Sequence, residues 1–173
     1  IVGSLLGDGY LTKTTRGFAL RINHGIAQSA YVDWKYNVLQ TLTNSPPRNW
    51  RDTRYFRTVS HSFFDEMRAV FYPDSKKIVP DYVAQCMSPL ILSIWIMDDG
   101  SRDKNQLRIN TQSFSKAENE KLQSILRASL GIMAALNRDT QYYRLRVCAK
   151  SMPRVRQLVA PYIISSMQYK LSL

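Results

Sequence analysis

Asp8 and Asp99 each stand where an apolar helical run meets a glycine, in LLGDGY and WIMDDGS. A carboxylate in the last turn of a helix faces the negative end of the macrodipole, which costs about 0.3–1 kcal/mol. A divalent cation would offset that cost. A glycine in the left-handed conformation that commonly closes helices would also turn nearby backbone carbonyls outward, to join the carboxylate as hard oxygen ligands. One isolated Asp-Gly is an ordinary turn signal. Two at equivalent places in a repeat need another explanation, and a divalent-metal site is the one they suggest.

The repeat runs through the chain. The first half reads GSLLGDGYL, LRIN (Leu20 to Asn23), a helical pattern from Gln28, YFRTVSHS (Tyr55 to Ser62) and a segment ending at Lys77. The second reads LSIWIMDDG, LRIN (Leu107 to Asn110), a helical pattern from Lys116, YYRLRVCAK (Tyr142 to Lys150) and a segment reaching Lys170. Asp8 and Asp99 are 91 positions apart, and Leu20 and Leu107, like Tyr55 and Tyr142, are 87 apart. Chance matches do not keep register in this way, so the chain divides into residues 1–88 and 89–173. Each half is predicted to fold as a short helix, two strands, an amphipathic helix, two more strands and a closing helix.

The amphipathic helices follow from their period. Tyr31, Trp34, Val38 and Leu42 mark one stripe in Ala30 to Leu42, and Leu122, Ile125, Leu126 and Leu130 mark one in Ala117 to Leu130. Arg144 to Lys150 alternates as a half-buried strand, with Arg144, Arg146, Cys148 and Lys150 on one face. Leu107, Ile109 and Thr111 point inward while Arg108, Asn110 and Gln112 point out; Arg21 and Asn23 repeat that arrangement, whereas Tyr55 to Ser62 alternates poorly. Gly3 and Gly7 let a partner helix approach closely, and the equivalent stripe of Trp95 and Asp99 is bulkier.

Composition narrows the partner. The 173 residues carry 24 Lys and Arg against 13 Asp and Glu, a net charge of +11, which suggests a polyanion and nucleic acid first. The longest apolar stretch, Leu90 to Met97, is too short to span a bilayer, so no membrane partner is expected. Cys86 and Cys148 lack a metal-ligand pattern and read as reduced, structural thiols. His24 and His61 read as ordinary surface or strand residues.

These residues resemble the LAGLIDADG homing endonucleases, specifically their monomeric, two-motif branch. The matching stretches are Ile1 to Gly9, Leu92 to Gly100, NTQSF (Asn110 to Phe114), SPP (Ser45 to Pro47), KKIVP (Lys76 to Pro80) and MQYKL (Met167 to Leu171). The resemblance implies an α+β fold with a duplicated αββαββα unit, two saddle-shaped antiparallel sheets straddling DNA, and pseudo-two-fold symmetry about two central motif helices. It assigns catalytic metal to Asp8 and Asp99, with the preceding Gly7 and Asp98 adding a carbonyl or outer contact; Mg²⁺ is the expected cofactor, with Mn²⁺ as substitute. It places Lys77 and Lys170 beside the scissile phosphates. Motif two departs from many relatives in its bulky Ile94 and Trp95.

The implied activity is hydrolysis of both strands of a long, asymmetric double-stranded DNA site, leaving short 3′ overhangs, by an intracellular monomer in an organelle matrix or bacterial cytoplasm. Arg binds guanine and Asn or Gln binds adenine bidentately in the major groove. Arg21, Asn23, Arg57, Arg108, Asn110, Gln112, Arg144 and Arg146 are therefore the base-reading candidates. Lys13, Arg16, Arg48, Arg51, Arg102, Lys104, Arg138 and Lys150 are candidates for phosphate contacts. The alternative from the same fold is an RNA-binding maturase or splicing factor, with intron RNA as partner. A basic scaffold subunit comes third.

Overall fold

Alternation of period two and period 3.6 resolves into helix, two strands, helix, two strands, helix, twice over, in the computed structural model, which describes residues 1–171. The first run comprises α1 (Val2–Leu6), β1 (Tyr10–Thr14), β2 (Gly17–Gly25), α2 (Ser29–Leu39), β3 (Arg48–Trp50), β4 (Thr53–Arg57) and α3 (Ser62–Phe71). A short α4 (Tyr82–Cys86) precedes α5 (Pro89–Asp99), β5 (Gly100–Asp103), β6 (Gln106–Ile109), α6 (Lys116–Leu130), β7 (Ala134–Asp139), β8 (Tyr142–Val147) and α7 (Met152–Val159). The strands make two four-stranded antiparallel sheets, ordered β1-β2-β4-β3 and β5-β6-β8-β7. The fold is α+β and duplicated, as the repeat implied.

The chain forms two compact units: Asp8–Asp74, and Ile1–Gly7 joined with the chain from Ser75 onward. In the first, Leu20, Ile22 and Phe56 on one sheet face meet Tyr31, Val32, Phe64 and Phe71 from the helices. In the second, Leu107, Ile109, Leu145 and Val147 lie on the covered face of their sheet, and α6 packs on β7 and β8. The helix α5 is apolar nearly all round and is buried accordingly, with Leu92, Trp95, Ile96 and Met97 all at or near zero exposure.

Helix α1 belongs to the second unit because it lies along α5. The close approach is made at Gly3 and Gly7. A Cβ at Gly3 would stand 2.7 Å from both the Ile91 carbonyl oxygen and the Ile94 Cβ, and one at Gly7 would stand 2.7 Å from an Asp98 carboxylate oxygen. The residues met are Ile91, Ile94 and Asp98, one side of a helix, so in motif two Ile94 and Asp98 stand against the small residues of motif one.

Helix α6 forms as its sequence predicts. Ser115 and Glu118 make a reciprocal capping box, Gly131 closes the helix at φ 67°, and Leu122, Ile125, Leu126 and Leu130 are buried. Asn119, also fully buried, has its amide donate to the Thr111, Phe114 and Ser115 carbonyls at 3.3, 3.2 and 3.0 Å, and its oxygen accepts from the Thr111 hydroxyl at 2.5 Å. Those bonds shape the NTQSF stretch.

Three expectations are corrected. In α2 the buried residues are Tyr31, Val32 and Lys35, while Val38 is 62% exposed. Lys35 lays its stem along Tyr31, its Nζ 4.4 Å from the ring centroid, so a charged residue occupies part of the inward face and disguises the stripe. The strand β8 stops at Val147, and Lys150 sits in a 3₁₀ turn, Ala149–Ser151. Finally, the glycines after Asp8 and Asp99 are not left-handed; the positive-φ glycines are Gly17 and Gly131. The chain passes from α5 straight into β5, so Gly100 is extended, at φ −70° and ψ 142°. Glycine is required there by space, since a Cβ would meet the Ile96 carbonyl oxygen at 2.5 Å.

Candidate metal centre and nucleic-acid faces

The two lysines assigned to catalysis make the same bond in their respective repeats. Lys77 Nζ donates to the Gly7 carbonyl at 2.9 Å, and Lys170 Nζ donates to the Asp98 carbonyl at 2.7 Å. These carbonyls belong to the residues immediately before Asp8 and Asp99, at the ends of α1 and α5. Helix ends leave carbonyls without intrahelical partners, and a lysine placed there also faces the favourable end of the dipole. Lys170 closes a 3₁₀ turn, Ser165–Lys170, and is buried. Lys77 lies between α3 and α4, with the Phe114 ring centroid 5.6 Å from its Nζ. Asp98 is buried, and Asp99, the last residue of α5, is half-buried.

Asp8 opens the other unit, its side chain about half exposed at 47%. His24 Nδ1 lies 3.5 Å from Asp8 Oδ2. The His24 ring is buried against Tyr31, with centroids 5.1 Å apart. Sequence reading passed over His24. The signal available was its alternation with Leu20 and Ile22, which puts it on the covered face of β2. His61, by contrast, caps α3, its Nδ1 accepting from the Phe63 amide at 3.1 Å.

Each sheet's open face collects most of the predicted base readers. On the first, Arg21 pairs with Arg57 and Asn23 with Tyr55, which also pairs with Arg48, so these side chains share a face. Tyr10, Thr12 and Trp50 join them by register, and Arg21 stacks on Tyr55 at 4.6 Å. No acidic residue occurs in β1 to β4. Lys13 falls on the opposite face, Arg16 is in the β1–β2 turn, and Arg51, at φ 50°, turns the β3–β4 hairpin with its guanidinium 6.0 Å from the Trp50 ring.

The second open face carries Arg108, Arg144 and Arg146, and Asn110 continues the alternation past β6. Here acids and amides accompany the arginines. Arg108 donates to Asp103 at 2.6 Å, Arg144 pairs with Asp139, and Gln112 reaches the same Asp139 carboxylate at 3.4 Å. Arg146 donates to Gln106 at 2.9 Å and to Asn137 at 3.3 Å. The Arg108 hydrogen bond holds the Asp103 carboxyl below the usual carboxylate range. Arg102 and Arg138 sit at the alternate parity, and each donates to a turn carbonyl, of Lys104 at 3.3 Å and of Thr140 at 2.9 Å. Lys104 (φ 53°) and Lys150 are exposed in turns.

Residues 1–155 match the LAGLIDADG DNA endonuclease family. The chain belongs to this family. The chain is similar to the cytochrome b mRNA maturase bI2 of Debaryomyces hansenii, 30% identical over 98% of this chain and 71% of that protein. It is 28% identical to the probable intron-encoded endonuclease 1 of Wickerhamomyces canadensis over 99% and 81% of the two chains. Several other curated relatives are longer, and this chain spans under half their length. Among solved structures it is similar to the homing endonuclease I-WcaI bound to its DNA recognition sequence, with a TM-score of 0.89, 28% identity, and 98% and 83% of the two chains covered.

For a LAGLIDADG chain the donors at the motif ends are of one chemical kind. Asp8 and Asp99 offer carboxylates, and Gly7 and Asp98 offer helix-end carbonyls that already accept charge-assisted hydrogen bonds. Carboxylate and carbonyl oxygens are the ligands that Mg²⁺ and Mn²⁺ take. Cys86 and Cys148 are free thiols outside this set, and burial pushes the Cys86 thiol up. Among the described residues, no helix is long and apolar enough to cross a membrane.

Proposed function

We propose that this chain is a metal-dependent homing endonuclease that hydrolyses both strands of a long, asymmetric double-stranded DNA site. The observation that carries the proposal is the repeated lysine-to-carbonyl bond, Lys77 to Gly7 and Lys170 to Asp98, one residue before each motif aspartate. The two bonds fix ammonium groups at equivalent places, and a charge fixed in advance stabilises a developing negative charge at little reorganisation cost.

In this reading Asp8 and Asp99 hold Mg²⁺ or Mn²⁺. The ion, when bound, supplies Lewis acidity toward the phosphate and its attacking water. Lys77 and Lys170 present their Nζ groups to the charge that develops on the phosphate oxygens. The two halves, 1–88 and 89–173, each read one half-site through an open sheet face, and a single copy of the chain suffices for both cuts. The cuts fall across one minor groove and leave short 3′ overhangs. The DNA complex of I-WcaI supports the choice of partner.

Selection from a randomised DNA library by cleavage, with Mg²⁺ and separately with Ca²⁺, tests the proposal. Recovery of one long asymmetric duplex cut to 3′ overhangs supports it. Blunt or 5′-extended ends, or no cleavage, would overturn it. The maturase name of the Debaryomyces relative favours a second reading, binding and splicing of intron RNA. An RNA-splicing assay with the Asp8→Asn variant separates the two, because splicing does not need a phosphodiester-cutting metal site.

A further inference from the structure

The two lysines are held in place by different means. Lys170 is buried at the end of its 3₁₀ turn, with Met167 and Leu171 buried around it. Lys77 is half-buried. It lies in a stretch of ten residues, 72–81, that forms neither helix nor strand, and Asp74, Ser75 and Lys76 before it are exposed. A chain of that kind is held by whatever satisfies its backbone groups.

Helix α6 satisfies them two residues beyond Lys77. The Val79 amide donates to Glu118 Oε1 at 3.2 Å, and the Val79 carbonyl accepts from Lys121 Nζ at 2.7 Å. Lys121 also pairs with Asp81 at 2.7 Å. Glu118 and Lys121 are three apart on α6 and therefore face the same way. The Glu118 carboxylate is itself fixed, since its Oε2 accepts from the Ser115 amide at 2.7 Å in the capping box. The Val79 side chain beneath this grip is buried. Both polar groups of one loop residue are thus gripped by two opposite charges from one rigid helix.

We infer that Glu118 and Lys121 are positioning residues for the reaction, clamping the Val79 backbone so that Lys77 is presented at the end of α1. The inference rests on the nuclease reading. It gives α6 a task besides covering a sheet, and makes only one of the two lysines depend on a clamp. Loss of the clamp therefore affects one strand and spares the other.

The test uses the whole chain and the duplex recovered by cleavage selection, each strand carrying a different end label, with Mg²⁺. Lys121→Met should slow cutting of one strand by about ten- to hundred-fold, the cost of a small misplacement, with the other strand and DNA affinity changed less than about two-fold. Lys77→Met should slow that same strand. Asp81→Asn, which leaves the Lys121 bond to Val79 in place, should keep the wild-type strand ratio. Amide hydrogen exchange of the protein alone should be faster at Val79 in Lys121→Met and in Glu118→Ala. Equal slowing of both strands, or unchanged strand rates, would overturn the clamp while leaving the nuclease reading intact. Unchanged Val79 exchange would overturn it whatever the cleavage result. Failure of the wild-type chain to cut any duplex is the outcome that removes the nuclease reading itself, and the inference goes with it.

Discussion

Asp8 and Asp99 bear the chemistry in the proposed mechanism, and replacing them separates that chemistry from binding. Outer-shell substitutions around a metal already cost about 10–100-fold, so Asp8→Asn or Asp99→Asn should lower single-turnover cleavage by more than about 100-fold. Affinity for the duplex, followed by fluorescence anisotropy, should stay within about ten-fold because the phosphate contacts are untouched; equal cleavage by wild type and both variants would remove the aspartates from the mechanism. The aspartates were legible because they repeat in register at helix ends. Lys77 and Lys170 were legible only through likeness to a family, since an isolated lysine carries no mark of a bond to a carbonyl some 70 residues away. His24 read as an ordinary surface or strand residue because one histidine in a strand carries no mark of the aspartate that the fold sets beside it. Glu118 could be read as half of a capping box, yet its second bond, to Val79, depends on tertiary structure.

Between elements, the contact of α1 with α5 makes a demand that α6 does not. Gly3→Ala would put a Cβ 2.7 Å from a backbone oxygen of α5, which overpacks the pair and should cost about 1–3 kcal/mol in thermal or urea unfolding. Gly131→Ala meets nothing within 4 Å, so its cost is that of a left-handed alanine alone, about 1–2 kcal/mol. If both variants unfold like wild type, neither constraint is real. Acid adds a second test, at Asp81 and Asp103, both held below the usual carboxylate range by hydrogen bonds from Lys121 and Arg108. A folded-state pKa below the unfolded one contributes stability that is complete above the unfolded value, about 3.9, and is lost as pH falls through the folded value. These pairs should therefore leave Tm flat from about pH 5 upward and lower it below about pH 4; the drop should be smaller in the Asp81→Asn, Asp103→Asn double variant. At this scale the sequence was readable where side chains obeyed one rule at a time. The α6 stripe and caps did so, whereas Lys35 on the inward side of α2 and the extended Gly100 did not, because tertiary contacts decided them.

Across the molecule, duplication was readable from the 87-residue offsets, but the difference between the two sheets was not, because it depends on which strand residues end up opposite one another. The net charge of +11 makes counterion release a large part of binding in the proposed function. DNA affinity should then fall steeply with salt, each neutralised phosphate adding about −0.9 to the log–log slope. The two open faces should contribute unequally to that slope. On the first, Arg21, Arg48 and Arg57 share a sheet with no acid in any strand, and Tyr55 and Trp50 give them aromatic neighbours. On the second, Arg108 and Arg144 are tied to Asp103 and Asp139, and Arg146 to Gln106 and Asn137. A guanidinium already held by a carboxylate is oriented before DNA arrives, and part of its charge is cancelled. It discriminates between bases through geometry more than it attracts phosphate, as bidentate contacts to guanine do. The half-site read by the second face should accordingly tolerate fewer substitutions, and Arg57→Ala on the first face should flatten the salt slope more than Arg144→Ala on the second. Asp139→Asn should relax base preference at one or two positions of the stricter half-site while strengthening overall affinity, since a negative charge facing DNA is removed. Cleavage profiling on a library randomised in each half separately, with slopes measured from about 50 to 200 mM salt, reads all three effects. Equal tolerance in both halves, or a palindromic preferred site, would mean that the acids on the second face play no part in recognition.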